Sequence, residues 1–184
     1  MTLEALIRQG RDLIMSGRYG EAVSTLTKVI NDDAIDPHSE QFTTALSYRA
    51  FAKDGLGEWD DAYADLTRLI ELHPDAEVNR ARAGILSKMG RYREAIDDLE
   101  IARRKYSLSP EIHVDLGDNR RELGKTEETE KNNEEAERNY RMAIQLGKES
   151  ELSGRITKRD YVALTRAEVA LKAMGKDVDT GYTS

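Results

Sequence analysis

Three stretches of the chain repeat one phrase: GRYGEAVSTLT from Gly17, GEWDDAYADLT from Gly57 and GRYREAIDDLE from Gly90. Each reads glycine, a polar residue, an aromatic, two polar or small residues, alanine, and a leucine four residues after that alanine. Upstream of each lies apolar spacing of helical period: Leu6, Gly10 and Leu13, then Leu46 and Ala50 with Lys53, then Ala83 and Leu86. A glycine where such a stretch stops suits a helix C-terminus, because it enters the left-handed region without a Cβ penalty. Glu21, Asp60, Asp61 and Glu94 follow in the first turn of the next helix, where a carboxylate meets the positive end of the helix dipole. The phrase therefore predicts a helix, a tight turn and a second helix.

The small residues predict how the two helices pair. Gly10 precedes Ala22, Ala50 precedes Ala62 and Ala83 precedes Ala95, each by twelve residues. A constant interval across a turn implies constant packing, and a small residue on each helix lets two antiparallel axes approach closely. Leu26 and Val29, Leu66 and Leu69, and Leu99 and Ala102 continue the buried stripe of the second helices.

On these residues the chain resembles the tetratricopeptide repeat (TPR) family, whose unit is a helical pair of about 34 residues. The best copy, Thr43 to Ala76, carries Leu46, Ala50, Gly57, Trp59, Ala62, Leu66, Leu69 and a closing Pro74. The first, from Leu3, has Gly10, Gly17, Tyr19, Ala22 and Leu26, with Pro37 delayed by an inserted DDAID. The third, from Ala76, has Ala83, Leu86, Gly90, Tyr92, Ala95 and Ala102, with Asn79 where the family places a large apolar residue. A fourth opens on Ser109 as N-cap and Pro110 at the first helical position, continues to Leu116, Gly117 and Gly124, and then breaks.

After the break the chain runs KTEETEKNNEEAERNYRMAIQLG, and the matching alanine is Ala136, with Tyr140 and Ala143 behind it. Gly117 to Ala136 is nineteen residues, the usual twelve plus seven. Seven residues make nearly two helical turns and return to almost the same face. Residues from Thr126 to Leu146 thus read as one lengthened second helix, its first two turns over solvent; a loop over 125–135 is the alternative. Beyond Gly147 a polar linker leads to DYVALTRAEVALKAMG, where Leu164, Ala167, Leu171 and Met174 share one face, as in a capping helix with a polar outer side.

The resemblance implies an all-α fold, a right-handed α-α superhelix (TPR solenoid) of about four helix-turn-helix repeats plus a C-terminal capping helix. The expected organisation is a single domain over 1–175. Its repeats fall near 3–37, 43–76, 76–108 and 109–147, its cap near 157–174, and a flexible tail covers 176–184.

Composition narrows the functions. A net charge of -7 and a pI near 5.1 disfavour nucleic acid and anionic membranes, which need concentrated positive surface, and the basic run Arg103 to Lys105 is too short to reverse this. The chain has no cysteine, which removes disulfides and thiolate chemistry. The opening MTLEALIRQGRD carries charges where a signal peptide needs an apolar core, and no later run approaches membrane-spanning length, so a cytoplasmic location is expected. GLG at Gly55 to Gly57 lacks the third glycine and preceding strand of a dinucleotide loop, and in LGKTEE the earlier Gly117 stands too far from Gly124 for a P-loop. His38, His73 and His113 lie apart without paired ligand spacing and fit repeat junctions better than a metal. No catalytic residue, metal site or cofactor is predicted, and the chain does not read as an enzyme.

In TPR proteins the first helices line the concave face, where partners, often extended peptides, lie. Carried over by register, that groove would be lined by Ile7, Arg8 and Arg11, by Ser47, Tyr48 and Phe51, by Arg80, Ser87 and Lys88, and by Val114, Asp115, Asp118 and Glu122. It would be basic and aromatic over three units and acidic at its far end. Arginines grip carboxylates through two parallel hydrogen bonds, so the expected partner is another protein or peptide with an acidic or C-terminal segment. The competing reading is surface charge balanced by neighbours such as Glu4 and Glu77. The two-carboxylate clamp with which some TPR proteins hold heat-shock chaperones falls here on Ile7, Arg11, Tyr48, Glu77 and Ala81; only Arg11 could serve, which speaks against that partner. The expected function is a non-enzymatic adaptor or scaffold. A small acidic TPR chaperone, similar to those of type III secretion, and a self-assembling scaffold are the alternatives. Neither nucleic acid nor membrane is an expected partner, and self-association stays open.

Overall fold

The computed structural model describes residues 1–178, and among these the only regular structure is nine α-helices, with no strand. They are α1 (Leu3–Met15), α2 (Tyr19–Ile30), α3 (Glu40–Leu56), α4 (Trp59–Leu72), α5 (Ala76–Lys88), α6 (Tyr92–Lys105), α7 (Pro110–Leu123), α8 (Thr129–Leu152) and α9 (Lys158–Ala173). This is the all-α repeat class expected. The repeated phrase makes one turn three times: Gly17, Gly57 and Gly90 have φ of 72°, 77° and 73°. The next amides reach back into the finished helix, Arg18 N–H donating to Leu13 O at 2.9 Å and Glu58 N–H to Lys53 O at 3.0 Å. Carbonyls that a helix end leaves unpaired are satisfied in this way.

Packing divides the chain into two compact units, Met1–Met89 and Gly90–Ser184, so the boundary passes through the turn of the third repeat read from sequence. In the first unit Leu13, Leu26, Val29, Phe42 and Leu46 form the main core, and Ala50, Ala62, Leu66 and Ile85 a smaller one. In the second, Val114, Ala136, Tyr140, Ile144, Ala167 and Leu171 come together. No buried side-chain nitrogen or oxygen among the described residues lacks a hydrogen-bond partner, Asn79 included.

At Gly10 and Gly117 the contact differs from the expected small-on-small crossing. A Cβ on Gly10 would lie 2.6 Å from Leu26 Cδ2, and one on Gly117 would lie 2.6 Å from Tyr140 Cε1. Each glycine thus leaves room for a large side chain, the one four residues after the matching alanine. Leu26 follows Ala22 as Tyr140 follows Ala136, so the seven extra residues preserve the contact.

The fourth turn departs from the other three. Gly124 keeps a right-handed φ of -63°, residues 125–128 make the turn, and Glu128 takes φ of 42°. α8 begins at Thr129 rather than Thr126 and runs through Gly147 to Leu152 instead of stopping at Leu146. Its first turns do not simply overhang solvent: Asn132 is buried and donates to Glu127 O at 2.8 Å. Gly147 sits inside the helix because α9 approaches there; its Cβ would lie 2.9 Å from Leu164 Cδ1. Ser109 is the N-cap of α7 without a side-chain capping bond, whereas Thr157 and Asp160 close a full capping box on α9. Past α9, Lys176 Nζ lies 2.8 Å from Glu137, and Val178 packs on the second core. The rest of the expected flexible tail, 179–184, lies outside the described residues.

Candidate protein-binding clefts

In the first unit α1 packs beside α3 and leaves a cleft of about 320 Å³ lined by Glu4, Ile7, Arg8, Arg11, Glu40, Gln41, Thr44 and Tyr48. Four residues picked out by register, Ile7, Arg8, Arg11 and Tyr48, share this cleft. Arg11 is held by its neighbour Asp12 at 3.1 Å. Arg8 is exposed and has no hydrogen bond or ion pair among the described residues, with Glu4 or with any other carboxylate. Its charge is available to a partner.

The remaining candidates of this unit stand outside the cleft. Ser47 and Phe51 are exposed on α3, Phe51 by 58%. Arg80 is half-buried on α5, Ser87 donates to Ala83 O at 2.8 Å, and Lys88 reaches Asp54 of α3 at 2.6 Å.

In the second unit Val114 belongs to the core and not to a groove: it is fully buried, because α8 and α9 close over that face of α7. Asp115 and Asp118 are joined by Arg166 of α9, at 3.3 and 2.6 Å, and the Tyr140 hydroxyl donates to Asp118 Oδ1 at 2.6 Å. Burial pushes the Tyr140 phenol far above the usual tyrosine range, and the bond to Asp118 adds to this. Burial works against the Arg166 cation, but Asp115 and Asp118 outweigh it and raise its pKa. Glu122 is held by Lys125 at 2.6 Å. The acidic far end expected from sequence is therefore internally paired.

Between α7 and α9 lies a second cleft, of about 450 Å³, lined by Asp118, Arg121, Tyr161, Val162, Thr165, Arg166, Val169, Ala170 and Ala173. Apart from Asp118, none of these was expected. Reading α9 as a cap emphasised Leu164, Ala167 and Leu171; the neighbouring stripe Val162, Thr165 and Val169 was the available signal.

Two histidines separated in sequence do meet: the exposed His38 and His73 rings stand edge to face with centroids 5.8 Å apart. His113 is not at a junction but buried within α7, its Nε2 3.1 Å from Ser107 O. Among the described residues no group of three or more His, Cys, Asp or Glu could hold a metal ion, and no helix is long and apolar enough to cross a membrane.

Residues 42–76, spanning α3 and α4, match the family model of the tetratricopeptide repeat. That stretch is a tetratricopeptide repeat. Solved TPR structures extend the likeness over its length. Kinesin light chain-like TPR repeats of Podosopora anserina align with 97% of this chain and 89% of theirs, at 15% identity and a TM-score of 0.71. MamA from Desulfovibrio magneticus aligns with 99% of this chain and 97% of its own, at 17% identity and a TM-score of 0.64. At these identities the TPR likeness establishes the fold alone. No curated protein matches the sequence significantly. TPR families are in general non-catalytic interaction modules, and this chain has their scaffold.

Proposed function

We propose that this TPR array is a non-enzymatic adaptor that binds an extended, acidic segment of another protein along its first helices. The observation that carries the reading is the α1/α3 cleft, where the guanidinium of Arg8 stands without a partner among the described residues, beside Arg11, Ile7 and Tyr48. A guanidinium there can take a carboxylate in two parallel hydrogen bonds, while Tyr48 and Ile7 cover the apolar part of the same segment. Glu4 and Glu40 at the cleft edge would repel a badly placed acid and so set the register.

The test is the double substitution Arg8→Glu with Arg11→Glu, assayed against partners captured from the native cell by the unaltered protein. Loss of those partners is expected, with helix content and melting temperature unchanged because both side chains are on the surface. Undiminished capture would remove the α1/α3 cleft from the binding surface.

A further inference from the structure

We propose that the α7/α9 cleft receives a large apolar side chain of a partner segment that carries a carboxylate next to it. This rests on the adaptor reading and gives it a second contact of different chemistry.

The walls of the cleft are apolar and open. Tyr161, Val162 and Val169 are 60%, 50% and 62% exposed, and they line a space of about 450 Å³. Covering such surface is favourable in proportion to its area, and the volume lies in the range of about 300–1,000 Å³ typical of built ligand sites.

Charge selects the occupant. Asp118, the only acid among the described residues lining the cleft, already accepts from Arg166 and from the Tyr140 hydroxyl, both at 2.6 Å. Arg166 is in turn engaged by Asp115 and Asp118. Arg121 differs: its ion-pair partner is Glu122 at 3.9 Å, and Lys125 holds that same carboxylate at 2.6 Å. An incoming carboxylate would be a better partner for Arg121 than Glu122 is. A basic segment would meet two guanidiniums in the lining and one carboxylate, Asp118, that is already engaged, and a purely apolar one would strip water from Arg121 without replacing it. The cleft also needs no assembly, since Arg166 ties α9 to α7 and Leu164 seats α9 on Gly147 of α8.

The experiment titrates the full, ¹⁵N-labelled chain with three end-capped octapeptides: one with a phenylalanine flanked by glutamates, one with that phenylalanine flanked by lysines, and one with alanine between glutamates. The first peptide is expected to shift amides of residues 118–121 and 161–173 saturably and the other two far less. Val169→Glu and Arg121→Glu should each weaken the first peptide at least tenfold while melting stays unchanged. Equal binding of the lysine peptide, or no response in α9, overturns the proposal. Shifts confined to α1 and α3 overturn it as well and leave the adaptor reading standing, which fails separately if the Arg8 and Arg11 variant retains its native partners.

Discussion

Two glycines show how much depends on what stands opposite a missing Cβ. Gly117 faces the Tyr140 ring, which is fully buried and anchored through its hydroxyl to Asp118, so the ring cannot retreat. Overpacking of this kind costs about 1–3 kcal/mol and exceeds the helix propensity gained, about 1 kcal/mol. Gly117→Ala should therefore lower stability by up to about 2 kcal/mol in urea denaturation, the difference between those two magnitudes. Gly84, mid-helix in α5, has nothing within 4 Å of its Cβ position, and Gly84→Ala should raise stability by about 0.5–1 kcal/mol. Tyr140 also makes a pH prediction. Its phenol titrates higher folded than unfolded, so the folded chain holds that proton more tightly. This contribution is complete below about pH 10, the ordinary tyrosine range, and is lost as pH rises above it. Urea midpoints of the unaltered protein should fall more steeply above about pH 10 than those of Tyr140→Phe.

Among the elements, α8 and α9 carry what is individual to this chain. The seven-residue insertion keeps phase, since Gly117 still meets the residue four beyond the matching alanine. Deleting 126–132 would restore the spacing of the other units and bring Gly124 to the place of Gly17. The shortened protein should melt cooperatively, with Tyr140 still giving the near-ultraviolet dichroism of an immobilised ring; a broad, non-cooperative melt would show that the added turns are required. α9 is held by core packing and by the Arg166 bridge to Asp115 and Asp118. Arg166→Met leaves two carboxylates facing each other without their cation, and hydrogen exchange should quicken in α9 while α1 to α4 keep their protection. The helices themselves were legible in the sequence because 3.6-residue periodicity and a glycine stop are local signals. The exact ends of α8 were not, because Gly147, which reads as a stop, is used for close approach to Leu164.

For the molecule as a whole, each compact unit has its own core, so damage should stay local. Mapped by hydrogen exchange, Gly117→Ala should lose protection within α7 to α9 and leave α1 to α4 near their original rates. The clefts were legible unequally. Ile7, Arg8, Arg11 and Tyr48 could be grouped in advance because the repeat register carries them onto one side of consecutive first helices. Nothing local announces that Arg166 neutralises Asp115, 51 residues earlier, or that His38 meets His73. By itself the sequence determined the all-α repeat, its three glycine turns and the phase of the insertion, since each depends on residues a few turns apart. Only the tertiary structure decided which charges are satisfied and which apolar side chains stay open, because burial and ion pairing are settled between helices that meet only after the chain has folded.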